Sequence, residues 1–337
     1  MFSPPSEVPM PPLTRRTLLA SLGGLGGAAL TGCTTTRRAA SPPAGPAAAA
    51  TPSPTPLPEV TVATATGPVT VPGAPMRVVA LDTAELDSAL TLGITPVGAA
   101  RPAADRAFPD YWPASRLART AYVGPVGDPD LAAVRALRPD LILSNQTRDG
   151  DRYEELRAIA PTVLTQTTGA PWKANVQTHA QALSRQDAAA AFAASYQRHV
   201  SQVVTALANA RAGGRKVSLL RFVEGGGIRQ YARQTFPGSV LADAGLGRPD
   251  AQNTDQADQE LPPEQLARAD GDLLLYAGYG DPDRNGLNAV LASPGWQSLE
   301  AVKAHRAFPV DDQLWFQGIG YTGANYVLEQ LQRFLGG

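Results

Sequence analysis

In QDAAAAFAASYQRHVSQVVTALANAR, residues 186–211, the apolar residues Phe192, Tyr196, Val200, Val203, Val204 and Leu207 recur at helical spacing and share one stripe. No glycine or proline interrupts the run, and Gly213-Gly214 follow it as a stop. At 1.5 Å per residue the predicted helix is about 40 Å long, enough to bridge two lobes. The chain on either side has another rhythm, in which short apolar runs alternate with helical patterns and turn residues.

On the N-terminal side, residues 60–63 and 69–71 flank Thr66-Gly67-Pro68 as a hairpin. Residues 77–81 read as a buried strand, 84–92 as a helix stopped by Gly93, and 96–99 as the next strand. Residues 131–137 and 153–159 are helical, while 141–143 and 162–164 are strands. Strand-helix alternation with short links predicts a mostly parallel sheet. Beyond the long helix, 216–222 and 227–231 flank Gly225-Gly226 as a second hairpin, 273–276 and 307–310 are strands, and 321–335 is a closing amphipathic helix. The body from 59 to 337 is long enough for two lobes with separate cores.

Cys33 is the sole cysteine of 337 residues, so neither an internal disulfide framework nor a cysteine-based zinc cluster is expected. Arg15-Arg16, the apolar run from Leu18 to Leu30, and Thr31-Gly32 precede it. That is the layout of an export leader, too short and glycine-rich for a membrane span of about 20 residues. Leu30-Thr31-Gly32-Cys33 resembles the lipobox of bacterial lipoproteins, which implies a leader over 1–32 and acylation of Cys33. The alternative is an ordinary cleaved leader with an incidental cysteine. Thr14-Arg15-Arg16-Thr17-Leu18-Leu19 also resembles a twin-arginine export signal, against a general secretory leader.

Residues 33–58, after the cysteine largely Thr, Ala, Pro and Ser, are expected to form a disordered tether reaching up to roughly 75 Å. Two acyl chains would anchor it stably to the outer face of the cytoplasmic membrane. Loss of the leader leaves 27 basic against 29 acidic side chains, a net charge of about −2. Nothing in that balance suggests a nucleic-acid partner.

Met76-Arg77-Val78-Val79-Ala80-Leu81-Asp82 leads into Glu85-Leu86-Asp87-Ser88-Ala89-Leu90-Thr91-Leu92-Gly93-Ile94-Thr95-Pro96-Val97-Gly98. Asp130-Leu131-Ala132-Ala133-Val134-Arg135-Ala136-Leu137-Arg138-Pro139-Asp140-Leu141-Ile142-Leu143 follows, and Val310-Asp311-Asp312-Gln313-Leu314-Trp315-Phe316-Gln317-Gly318-Ile319-Gly320 comes near the end. In this order and spacing they resemble the substrate-binding proteins of ABC importers for ferric siderophores, a family with relatives for haem and cobalamin. The resemblance covers essentially all of 59–337. It implies an α/β fold of two Rossmann-like lobes, 59–185 and 214–337, joined by a single long spanning helix over 186–213, with the ligand in a cleft between lobes. It also implies a non-enzymatic monomer that delivers its ligand to an ABC permease, with ferric iron carried inside the siderophore and no cofactor bound directly.

A chelator that wraps Fe³⁺ in oxygens leaves the protein to supply arginines for the exposed oxygens and aromatic faces for the apolar scaffold. Arg148, on a loop leaving a strand C-terminus, matches an arginine the family places there; Trp172 and Trp315-Phe316 match its aromatic positions. Arg221 on the 216–222 strand, and Arg229 and Tyr231 on one face of its hairpin partner, are further ligand candidates, with salt-bridged surface residues as the alternative. Tyr279 is another. Glu85 matches the lobe-one glutamate that pairs with permease arginines, against a first-turn acid complementing the helix dipole; Gln234 stands where the lobe-two acid is expected. Arginines suit anionic catecholate or carboxylate chelates, and aromatics suit hydroxamates.

His179, His199 and His305 are the only histidines, none with paired-ligand spacing, so no directly bound metal is expected. Haem or cobalamin held by aromatics is the rival ligand. An enzyme would need a Gly-x-Ser-x-Gly elbow, a His-Glu-x-x-His pair or a phosphate loop, and the sequence holds none of them.

Overall fold

The structure, a computed structural model, describes residues 57–335. The expected leader, Cys33 and the tether up to residue 56 lie outside the described residues. Strands β1 (Val60–Thr64) and β2 (Gly67–Val71) form the first hairpin, turning at Gly67 with φ of +100°. Strands β3 (Val78–Ala80), β4 (Gly98–Arg101), β5 (Ala121–Pro125), β6 (Leu141–Asn145) and β7 (Thr162–Thr165) follow. They make a sheet in the order β5-β4-β3-β6-β7, every neighbouring pair parallel. The two strands at its centre, β3 and β6, are buried along their whole length, which is why they read as continuous apolar runs.

The second sheet holds β8 (Val217–Val223), β9 (Gly227–Tyr231), β10 (Asp258–Glu260), β11 (Leu273–Tyr279) and β12 (Ala307–Pro309) in the order β10-β9-β8-β11-β12. Strands β8, β11 and β12 are parallel, whereas β9 is antiparallel to both of its neighbours, β8 and β10.

Between the sheets the spanning helix runs Gln186–Asn209, and Arg211 at φ of 54° ends it two residues before the glycine pair. Tyr196, Val200, Val203 and Leu207 are buried along one face, but Phe192 and Val204, expected on the same stripe, are 38% and 39% exposed. Val204 lies roughly 100° around the axis from Val203, far enough to leave the buried face. Each lobe keeps apolar clusters of its own, Leu220, Phe222 and Trp296 in the second and Val79, Ile142 and Leu86 in the first, but a further cluster is common to both. One cluster joins Val78, Leu141 and Leu143 of the first sheet to Val217, Leu219, Leu273 and Leu275 of the second, through the spanning helix and Val327 and Leu331 of the closing helix Tyr321–Leu335.

The closing helix is also locked to the first lobe. Thr322 Oγ1 lies 2.8 Å from Thr91 Oγ1 in the helix Thr83–Thr91. Asp87 of that helix accepts hydrogen bonds from the Tyr111 hydroxyl at 3.2 Å and from Thr91. A Cβ at Gly320 would overlap the Asp87 carboxylate.

Candidate ligand-binding cleft

The C-terminal ends of β3, β4 and β6 face those of β8 and β11, so the loops leaving both sheets enclose one cleft, the place where open α/β sheets bind ligands. An inner chamber of about 280 Å³ is lined by Asp82 and Thr83 after β3, Ala103 after β4, Arg148 after β6, and Arg221, Tyr279 and Phe316 opposite. It adjoins an outer chamber of about 680 Å³, with Ala103 and Tyr279 common to both. The Tyr279 hydroxyl accepts a hydrogen bond from the Ala104 N–H at 3.0 Å, tying the two rims together.

Arg148 is placed by a short helix, Gln146–Asp149, whose N-cap Asn145 accepts a hydrogen bond from the Arg148 N–H. Its Nε donates to Asp82 Oδ2 at 3.0 Å, and the side chain is 46% exposed. The Asp82 charge is the main reason its pKa is raised. Its two terminal nitrogens make no hydrogen bond to the described residues, and the residue lines the chamber.

Beneath this pair lies a buried polar layer. Glu85 is wholly buried and accepts from Asn145 Nδ2 at 3.4 Å. Burial, then the neighbouring Asp82 charge, pushes its pKa up to about 8. His179 Nε2 lies 3.8 Å from Glu85 Oε1, but burial lowers the His179 pKa to about 4. Burial favours the uncharged form of both side chains. Glu85 is thus in the interior and away from the surface that a partner's arginine could reach, which is at odds with the docking role expected for it.

Opposite Arg148, Arg221 is gripped by Asp312 through two bonds, from Nε at 2.6 Å and Nη2 at 2.7 Å. Its Nη1 donates to the Tyr231 hydroxyl at 3.2 Å. Burial works against its charge, but Tyr231 and Asp312 outweigh that effect and the pKa rises. The guanidinium carbon sits 4.8 Å from the Tyr279 ring centre and 5.4 Å from that of Phe316. Tyr231 meets Phe316 edge to face at 4.6 Å. Tyr231 thus braces the wall from behind, while Arg221, Phe316 and Tyr279 present to the chamber.

Trp172 and Trp315, expected at the ligand, are core residues instead. Trp172 is 1% exposed, packed edge to face against Tyr196, Phe236 and Tyr321, and its indole N–H donates to Ser239 at 2.9 Å. Trp315 is fully buried and donates to Gln330 at 2.7 Å. An indole with its N–H satisfied inside is a stable core anchor. Arg229 lies outside the cleft lining and pairs with Asp258 at 3.3 Å across the β9–β10 edge. Asp82 was not singled out from the sequence; its signal was an acid between a strand and a helix, an N-cap position, and it holds Arg148 as well. Among the described residues, no group of three or more His, Cys, Asp or Glu side chains is placed to hold a metal ion.

Two α/β lobes joined by a long helix and an apolar cluster common to both, with an arginine-and-aromatic cleft at their strand ends, define a two-lobed solute-binding protein. Residues 78–314 match the periplasmic binding protein family, and the chain belongs to it. It is 31% identical over 275 residues to the "Probable siderophore-binding lipoprotein YfiY" of Bacillus subtilis, covering 78% of this chain and 83% of that protein. It is 28% identical over 272 residues to the Fe(3+)-citrate-binding protein YfmC of the same organism, covering 79% and 84%. The crystal structure of Staphylococcus aureus SirA complexed with staphyloferrin B superposes with a TM-score of 0.73 at 26% identity, covering 82% of this chain and 98% of that one.

Proposed function

We propose that this chain is the membrane-anchored capture component of an ABC importer: it takes a ferric siderophore into the cleft and delivers it to the permease. The observation that carries this reading is the half-exposed Arg148, its terminal nitrogens open, facing the Tyr279 and Phe316 rings across a cleft of several hundred Å³. Such a wall supplies donors for chelate oxygens and apolar faces for the scaffold, and asks nothing of the iron itself. Arg221 contributes through its fixed charge against the two rings. The anchor is Cys33, acylated once residues 1–32 are removed, and residues 33–58 serve as the tether. The relatives named for siderophores and ferric citrate support the ligand class. The chain acts as a binder and not as a catalyst, and the iron travels inside the ligand.

The test is titration of the purified protein with ferric and iron-free siderophores, haem and cobalamin, read by intrinsic tryptophan fluorescence. Saturable submicromolar binding of a ferric chelate, absent with its iron-free form, is the expected result. Arg148→Gln should weaken it about tenfold or more, the scale of one lost charge-assisted contact. Silence across the panel would overturn the reading, and binding of haem or cobalamin alone would replace the ligand.

A further inference from the structure

The arginines of the inner chamber do not bring a surplus of positive charge. Arg148 stands on Asp82, whose side chain is 5% exposed, and Arg221 is held by both oxygens of Asp312, whose side chain is 12% exposed. In the outer chamber Arg284 pairs with Glu224 at 3.1 Å. The other charged residues lining it, Arg106, Asp105 and Asp281, make no ion pair among the described residues. Across both chambers four arginines meet five carboxylates, so the cleft as a whole is slightly acidic.

A multiply anionic ligand could reach the free terminal nitrogens of Arg148, but it would bring its own negative charge into a cleft where carboxylates already outnumber arginines. A ligand with no net charge meets no such conflict. Its exposed oxygens can accept from the open terminal nitrogens of Arg148 while Asp82 keeps Nε. Its linkers can lie on Tyr279, Phe316, Val223 and Ile319, which line the same chamber. A pendant ammonium would find Asp105 and Asp281 in the outer chamber.

We infer that the cleft selects ferric chelates of zero or positive net charge, the tris-hydroxamate class, over polyanionic tris-catecholate and citrate chelates. Three singly charged hydroxamates cancel the charge of Fe³⁺, whereas three doubly charged catecholates leave a trianion. The inference rests on the capture role proposed above and narrows its ligand. It also separates this chain from the relative named for ferric citrate.

The experiment is a competition series on the purified full chain, titrated with ferrichrome (neutral), ferrioxamine B (cationic), ferric enterobactin and ferric citrate (anionic). The hydroxamates should bind at least about 100-fold more tightly than either anion. Ferrichrome affinity should change by less than about twofold when salt is raised from low to several tenths molar, because that ligand carries no net charge to be neutralised. Tighter binding of ferric citrate or enterobactin would overturn the charge inference while leaving the capture role intact. Failure of every ferric chelate would overturn the capture role, and this inference with it. In Asp312→Asn, which releases Arg221, the preference should shift toward the anions by about tenfold or more; an unchanged preference in a folded variant would count against Asp312 as the selecting group. If that variant does not fold, the ranking on the unsubstituted chain decides alone.

Discussion

Glu85 stands in the first turn of its helix, where an acid commonly complements the helix dipole at the surface. The fold buries it completely beneath the Arg148–Asp82 pair, and the consequence is a pH signature. Its folded pKa is about 8 against 4.5 for the free acid, so between these values the folded protein keeps a proton that the unfolded chain has released. Stability present below about pH 4.5 is therefore lost as pH rises through 8. Asp87, pushed up to about 7 by burial, acts in the same direction but is spent by neutral pH. His179, lowered to about 4, works in the opposite sense, its contribution being lost only as pH falls from 6.5 toward 4. The window from about pH 7 to 8.5 thus belongs to Glu85. Urea unfolding should show the protein losing stability across that window and Glu85→Gln, which mimics the protonated acid, losing markedly less. Equal losses in both would mean that Glu85 is ionised in the fold. The amino acid order shows Glu85, Trp172 and Trp315 equally well as surface or interior, because what decides is the packing of helices far apart in the chain. Arg148 was legible because a loop that follows a parallel strand must open at the sheet's C-terminal edge.

At the scale of elements, the long helix and the parallel strands were legible because their periodicity is strong and their ends carry stop residues. Strand β5 was not, since Tyr122 is 45% exposed and Gly124-Pro125 break any run. The helix Trp172–Ala182 was missed because polar Lys173, Asn175, Gln177 and Gln181 dilute its apolar face. That helix is nevertheless central, since Trp172 joins the spanning helix, the closing helix and Phe236 in one aromatic cluster. Trp172→Ala should cost about 3–5 kcal/mol in stability, yet change ligand affinity less than about twofold while the protein is folded, because the side chain does not reach the cleft. Thermal melts and titration of the same samples check both halves. The contact of the closing helix with the first lobe has its own test. Gly320→Ala forces a methyl group into the Asp87 carboxylate and should cost about 1–3 kcal/mol. Gly213→Ala, which would meet nothing within 4 Å, should stay within about 0.5 kcal/mol of the parent.

For the whole molecule, the apolar cluster common to both lobes has mechanical consequences that lobe-confined clusters alone would not. Buried residues of both sheets, the spanning helix and the closing helix form one continuous apolar cluster, so opening the lobes widely would expose part of that cluster to water at about 25 cal/mol per Å². The Thr91–Thr322 contact and the Asp87 site at Gly320 would break with it. The hydrogen bond from Ala104 to Tyr279 spans the cleft mouth and is the cheaper contact to release. Ligand entry should therefore move the rims around Ala104 and Tyr279 and leave the hinge region in place. Solution scattering with and without a ferric chelate should show the radius of gyration changing by less than about 1 Å, within the small adjustment that preorganised binding sites make. The same continuity predicts one unfolding transition for both lobes, with urea curves from tryptophan fluorescence and far-UV circular dichroism superimposing. Two separated transitions, or a contraction of several ångströms on binding, would show lobes that move as independent bodies. The buried cluster at the spanning helix would then be a contact that opens, and ligand release at the permease could proceed by parting the lobes instead of loosening the rims.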